Sequence, residues 1–323
     1  MDFGRIRVPK RKPWFTIINP CSGSGKGKSD WPHIEDLLKK SGIQFHAVHT
    51  ESRNHAAQLT REAITAGFRR ILTIGGDGTI NEVINGIFHQ QEIPTTDFTI
   101  AMIPVGTGND WRRTIGIPVD YMEAIATIQQ EEIFTQDVGY IRYLDQGQPK
   151  GRYFINIAGM GYDAFVTAKT NFVKELGRKM GVYAYLVHLF GCLLKYKHTR
   201  VKVTADHEEI TTDLFSMNVG ICKYNGGGMM QVPKAVPDDG LLDLTLIRKM
   251  SKLEMIKNVP GLFDGSFIRH PQVLSTRGRK IIVESVPAIP LEVDGESLGS
   301  SPFEINIIPR SINVVMNRKY LMA

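Results

Sequence analysis

Three times in its first 110 residues the chain runs from a short, β-rich apolar stretch straight into a glycine-rich turn. Phe15-Thr16-Ile17-Ile18-Asn19, closed by Pro20, leads into Cys21-Ser22-Gly23-Ser24-Gly25-Lys26-Gly27-Lys28-Ser29. Ile71-Leu72-Thr73-Ile74 ends in Gly75-Gly76-Asp77-Gly78-Thr79, and residues 98–105 end in Gly106-Thr107-Gly108-Asn109-Asp110. Between these runs lie helical periods. Ile34, Leu37 and Leu38 recur after Pro32 and stop at Gly42; Ala56, Leu59, Ala63 and Ile64 stop at Gly67; Ile80, Val83, Ile84 and Ile87 follow the second turn. Phe45 opens a further strand over residues 45–50. Strands that alternate with helices at this spacing pair in parallel, with helices on both faces of the sheet. Each glycine turn then sits at the carboxyl end of a strand, the edge where open α/β sheets bind ligands.

The pattern changes near residue 133. Short runs of period-2 alternation take over at 152–158, 201–205, 215–220, 241–247, 281–286, 291–293 and 303–308, with Asp239-Gly240 and Asp294-Gly295 as turn signals. This predicts an antiparallel sandwich or barrel, with helical insertions over 162–197 and 251–265. Two units follow: an α/β unit over 14–133 with a parallel sheet, and an antiparallel β unit over 134–323 whose last strand is free to return to the first. Charge divides at the same place. Residues 1–13 carry a net +4, residues 14–133 a net −4 and residues 134–323 a net +6. Hydrophobic content of 42% with 22% charge excludes a disordered chain. Three cysteines, an odd number in a long chain, argue against a disulfide scaffold and for a reducing compartment, and neither C-x-x-C nor H-E-x-x-H is present to suggest a zinc motif. The longest uncharged apolar run, residues 180–194, is shorter than the ~20 residues that span a bilayer. No aromatic–basic interleaving supports nucleic-acid binding.

The first turn ends in Gly27-Lys28-Ser29, as a Walker A loop does, but that motif needs glycine where Ser22 stands, and G-x-G-x-x-G fails as well. What remains is an N–H-rich loop with two lysines before a helix, a physically adequate anion cradle that is also compatible with an ordinary polar loop. In the second turn Asp77 has the position of a helix N-cap, yet a cap does not require three glycines around it. The third turn repeats the combination of small residues, a hydroxyl, an amide and a carboxylate. Two such turns on one sheet edge favour a shared nucleotide site. Asn81 and Asn85 extend one helix face after the second turn. The acidic clusters at 238–243 and 291–296 read first as hairpin turns, since Asp-Gly is a common one, and only the acidic neighbours Asp238 and Glu296 argue for more.

Gly75-Gly76-Asp77-Gly78-Thr79, residues 104–110 and Val293-Asp294-Gly295-Glu296 together resemble the diacylglycerol/sphingosine lipid kinase family, above all its soluble bacterial diacylglycerol kinases, over residues 14–310. The Gly-Gly-Asp-Gly element alone is shared with NAD kinases. The resemblance implies an NAD kinase/diacylglycerol kinase-like α/β domain followed by a β-sandwich, with ATP between them and phosphoryl transfer to a lipid hydroxyl, by default diacylglycerol. It places Asn19, Ser22, Gly23, Lys26, Thr50, Gly75, Gly76, Asp77, Gly78, Thr79, Ile80, Asn81, Gly106, Thr107, Asn109 and Asp110 around the nucleotide. It places Asp239, with the carbonyls of Val236 and Leu241, in a structural Mg²⁺ site. The proton acceptor falls on Asp294 or Glu296, or in the sphingosine branch on Asp77. One departure stands out: Trp111-Arg112 replaces the family's Phe-Ala after Asn109-Asp110. The implied protein is cytoplasmic and peripheral to the inner membrane face, acts on lipid at an anionic surface and, as often in the family, forms a homodimer. Residues 180–194, flanked by Arg178-Lys179 and Lys195-Tyr196-Lys197, read as an interfacial helix or as a helix packed on the sandwich. NAD kinase and a non-catalytic lipid-binding regulator are the competing readings.

Overall fold

The computed structural model describes residues 12–175, 191–193 and 195–319. The N-terminal arm and most of the apolar stretch 180–194 thus lie outside the described residues. Four parallel strands start the fold: β1 (Trp14–Ile18), β2 (Phe45–His49), β3 (Arg70–Gly75) and β4 (Thr99–Pro104), in the order β2-β1-β3-β4. Their helices are α1 (Ser22–Lys40), α2 (His55–Thr65), α3 (Asp77–Phe88), α4 (Trp111–Ile115) and α5 (Tyr121–Gln130). Ile17, Ile18, Ile71, Leu72, Ile74, Ile100 and Met102 on the strands are fully buried against Ile34, Leu38, Ile80, Val83, Ile84 and Ile87 from the helices. Burial of both strand faces requires the near-continuous apolar runs seen in the sequence, interrupted only by the small, buried Thr16 and Thr73 on β1 and β3.

The second half is antiparallel. Its elements are β5 (Ile133–Asp145), β6 (Gln148–Phe154), β7 (Ile157–Gly161), α6 (Tyr162–Glu175), β8 (Thr199–Ala205), β9 (Glu208–Gly220) and β10 (Leu242–Arg248). Then come α7 (Lys252–Asn258), α8 (Gly261–Asp264), β11 (Val273–Gly278), β12 (Lys280–Val286), β13 (Pro290–Val293) and β14 (Glu296–Val315). The path β11-β10-β9-β7-β13-β14 continues directly into β4. The joint is the 20-residue β14, which pairs antiparallel with β5, β12 and β13 and then, at Asn313 and Val314, parallel with Thr99 and Ile100 of β4.

Four differences from the sequence reading have physical causes. β14 is far longer than residues 303–308, because its exposed and half-buried stretches still complete hydrogen-bond ladders. The run 152–158 divides into β6 and β7, since the N–H groups of Ile155, Asn156 and Ile157 turn to a carboxylate instead of a strand. β5 hides its period because Gln136 and Asp137 are both buried. α1 begins at Ser22 rather than near Pro32, although Gly23, Ser24 and Gly25 depart from helical geometry with φ of 61°, 60° and 99°.

α2 and α3 touch where α3 has Gly86: a Cβ there would lie 2.7 Å from both the Ala57 carbonyl oxygen and the Thr60 Cβ. Gly86→Ala is therefore expected to destabilise the protein by about 1–3 kcal/mol through overpacking, despite alanine's better helix propensity. A lowered urea midpoint checks this; an unchanged or raised midpoint refutes the close approach.

Candidate functional site

Register brings the glycine turns together. Gly75 of β3 pairs with Pro104 of β4, so the second and third turns leave neighbouring strands side by side. The Gly75 carbonyl accepts from the N–H groups of Val105 (3.0 Å) and Gly106 (3.2 Å). A Cβ on Gly106 would come within 2.7 Å of Gly76 Cα, and one on Gly23 within 2.0 Å of the Val105 oxygen. These glycines are required by the packing of one turn on another, because any side chain would separate the backbones. The first loop joins the cluster through Asn19: its N–H donates to the Ile74 oxygen (2.9 Å) and its Nδ2 to Thr79 Oγ1 (3.0 Å), while its Oδ1 accepts from the Cys21 N–H (3.0 Å). Thr50, at the end of β2, is buried, with its N–H on the Ile18 oxygen. Asn109 is buried and donates to the Gly106 carbonyl (2.6 Å). Lys26, Lys28 and Thr107 are exposed at the rim, and Ser22 is half-buried among the turns. Ile80 is a core side chain, so only its backbone belongs to the turn.

Three aspartates bind these turns to the rest of the fold. Asp77, the first residue of α3, accepts from the N–H groups of Asp110 (3.0 Å) and Trp111 (3.2 Å), holding the start of α4. Asp110 accepts from the N–H groups of Gly227 (2.7 Å) and Gly228 (2.6 Å), in a loop from the second half of the chain. Asp294 accepts from Asn81 Nδ2 (2.7 Å) and from the N–H groups of Ile155, Asn156 and Ile157 (3.0, 3.1 and 3.1 Å). Burial raises all three pKa values; Asp77, which also faces the Asp110 charge, is pushed up to about 7.

Asn81 is fully buried and turned toward Asp294, the Tyr153 carbonyl and Arg152, whose Nε donates to its Oδ1 (2.8 Å). Glu296, two residues beyond Asp294, is only half-buried and stands over the second turn. Its Oε1 would be 3.2 Å from a Cβ on Gly78, and its Oε2 pairs with Arg53. Sequence reasoning missed Arg53 and Arg152: neither lies in a motif, and both reach the site from elements distant in sequence. Trp111 is the buried anchor expected of an aromatic there, donating to Gln136 Oε1 (3.1 Å). The Arg112 charge turns inward instead and donates to the Ile117 carbonyl (2.9 Å).

Asp239 lies at a separate turn. Its carboxylate accepts from the Leu241 N–H (3.1 Å) and pairs with Arg277 (3.2 Å), while neighbouring Asp137 accepts from the N–H groups of Gly240 and Arg310. Val236, before it, is exposed. No three carboxylate, histidine or cysteine side chains converge on a metal position among the described residues. The turn offers oxygen donors alone, which is the donor chemistry of a hard cation. A further polar cluster was hidden behind a hairpin pattern. Glu292, 1% exposed, accepts from Asn225 Nδ2 (2.7 Å) and the Gly295 N–H (3.1 Å), and Asp163 beside it accepts from Ser216 (2.6 Å) and Asn218 (2.7 Å).

Residues 13–141 match the family model of the diacylglycerol kinase catalytic domain, and residues 156–316 match that of the YegS C-terminal NAD kinase beta sandwich-like domain. A diacylglycerol kinase of Bacillus subtilis is 30% identical over 304 residues, 94% of this chain and 96% of that protein. A crystal structure of a diacylglycerol kinase from Bacillus anthracis, 22% identical, aligns with a TM-score of 0.70 over 95% of this chain and 98% of its own. A yeast NADH kinase complexed with NADH, 11% identical, aligns at 0.51 over 95% and 84%. The two structural likenesses concern the fold.

Burial pushes the Glu292 carboxyl up to about 8 from the usual 4.5. The unfolded chain gives up this proton first, so the group's contribution to stability is present below about pH 4.5 and is lost as pH rises through about 8. Glu292→Gln is expected to flatten the fall of the urea midpoint across that window. An equally steep fall in the variant refutes the assignment.

Proposed function

Since the chain belongs to the diacylglycerol kinase catalytic-domain family, we propose that it transfers the γ-phosphoryl group of ATP to the free hydroxyl of diacylglycerol at the face of a membrane, giving phosphatidic acid and ADP. The observation that carries this reading is the placement of Glu296: a partly exposed carboxylate that stands over Gly78 of the second glycine turn, itself packed on the third, and pairs with Arg53. Phosphoryl transfer needs positioning and charge neutralisation more than covalent chemistry. Backbone N–H groups of the first loop, with Lys26 and Lys28, offset phosphate charge on a half of the chain whose net charge is −4. Mg²⁺, when bound, supplies further neutralisation of that charge. Asp77 suits it at the glycine turns, because each of its oxygens accepts one N–H and keeps a lone pair. Asp239, with the carbonyls of Val236 and Leu241, would hold a second, structural ion.

An alcohol does not ionise at neutral pH, so the acceptor proton must leave as the new O–P bond forms and the old one to ADP breaks. Glu296 takes that proton. Asp294 serves as a positioning group: buried beneath the turn with both oxygens engaged by four donors, it fixes where Glu296 stands. The yeast NADH kinase favours the NAD kinase alternative by fold only, whereas the Bacillus subtilis diacylglycerol kinase matches nearly the whole chain in sequence.

Glu296→Gln is expected to lower kcat by about 10²–10⁴ with ATP affinity retained. Asp294→Asn is expected to lower stability by about 1–3 kcal/mol, because its amide turns a donor toward donors. Labelled ATP, a diacylglycerol dispersion and thermal unfolding provide the readouts. Near-normal turnover by Glu296→Gln refutes its role, and an unchanged melting temperature for Asp294→Asn refutes the clamp.

A further inference from the structure

The described surface carries few large exposed apolar side chains, and three of them fall within one short segment. Leu253 (63% exposed) and Ile256 (42%) lie on α7, and Phe263 (56%) lies on α8. The two helices are nearly continuous, since the N–H of Val259 reaches the Ile256 carbonyl, that of Leu262 the Val259 carbonyl and that of Phe263 the Pro260 carbonyl. Spacings of three and seven residues then put all three side chains on one face. Beneath them Met255 is buried in an apolar cluster with Tyr162, Val166, Leu193 and Phe215.

The rim is basic. Residues 248–270 contain five cations (Arg248, Lys249, Lys252, Lys257, Arg269) against two carboxylates, Glu254 and Asp264. Both carboxylates are drawn into backbone caps: Glu254 with Ser251 in a capping box at the start of α7, Asp264 on the Ser266 N–H (2.9 Å). An apolar face with positive flanks complements an anionic lipid surface, where apolar area and headgroup charge both contribute.

The segment is tied to the kinase site from two sides. The Leu262 carbonyl accepts from the Met230 N–H (2.6 Å), and Met230 closes the loop whose Gly227 and Gly228 are held by Asp110. On the other side, the Met255 cluster includes Tyr162 at the start of α6, which packs against β13, the strand leading into Asp294. We infer that the α7–α8 segment is the surface by which the protein docks on an anionic phospholipid bilayer, with Leu253, Ile256 and Phe263 inserted among the acyl chains. The inference rests on the lipid kinase reading for its purpose, but it is measurable without catalysis.

The test is co-sedimentation of the full chain with phosphatidylglycerol or phosphatidylcholine vesicles free of diacylglycerol. It compares wild type, the triple variant Leu253→Ser/Ile256→Ser/Phe263→Ser, and the milder pair Lys249→Gln/Lys257→Gln. Wild type is expected to partition onto the anionic vesicles alone, and each variant to lose about tenfold or more of that partition. Turnover of micelle-free dioctanoylglycerol should stay within about twofold of wild type, since none of these residues belongs to the site. Partition of both variants equal to wild type overturns the inference. So does a halved particle mass for the triple variant with unchanged vesicle binding, which assigns the face to a second copy of the chain. If wild type does not phosphorylate dioctanoylglycerol while vesicle binding still depends on these residues, the acceptor reading fails and the docking surface stands.

Discussion

The architecture of the site depends on one buried carboxylate. Asp294 sits in the turn between β13 and β14, and its two oxygens collect a side-chain donor from α3 and three consecutive backbone donors from the link between β6 and β7. Three elements from distant parts of the chain are thereby fixed at one point. Without that acceptor, three buried N–H groups would lack partners, each at a cost comparable to a lost hydrogen bond or more. The break between β6 and β7, the inward turn of Asn81 and the position of Glu296 all follow from it.

Asp77 and Asp110 extend the same device. Each uses both carboxylate oxygens to hold backbone N–H groups of another segment, so the second glycine turn grips the third, and the third grips the loop at 226–228. The cost is electrostatic: the carboxylates are buried near one another, and their pKa values rise. A site built this way repels a polyanion unless cations enter with it. Arg53, Arg152 and the lysines of the first loop supply part of that compensation, and a divalent ion would supply more.

Much of this was legible in the sequence because it is local. A glycine turn after an apolar strand identifies itself within ten residues, and the helices between such turns carry their own period. The glycines themselves had a second meaning that only packing reveals: Gly23 and Gly106 are small because another turn's backbone occupies the space. The partners of Asp294 lie more than a hundred residues away in sequence, so Asp294-Gly295 reads as an ordinary hairpin turn. Glu292 was concealed in the same way, and β5 by the buried polar pair Gln136 and Asp137, whose partners are Trp111, Ile155, Gly240 and Arg310. Residues that break the apolar period because they satisfy distant polar groups cannot be recognised from their neighbours.

β14 has a consequence for how the molecule is made. Its final residues lie beside β4, so the edge of the first four-stranded sheet stays open until a strand synthesised about two hundred residues later arrives. On the ribosome the α/β half therefore emerges with an unprotected β edge, next to the glycine turns. A chain interrupted anywhere before Asn313 exposes that edge permanently. Closure of the first sheet is thus coupled to the synthesis of β14, and the two parts of the chain are finished together rather than in turn.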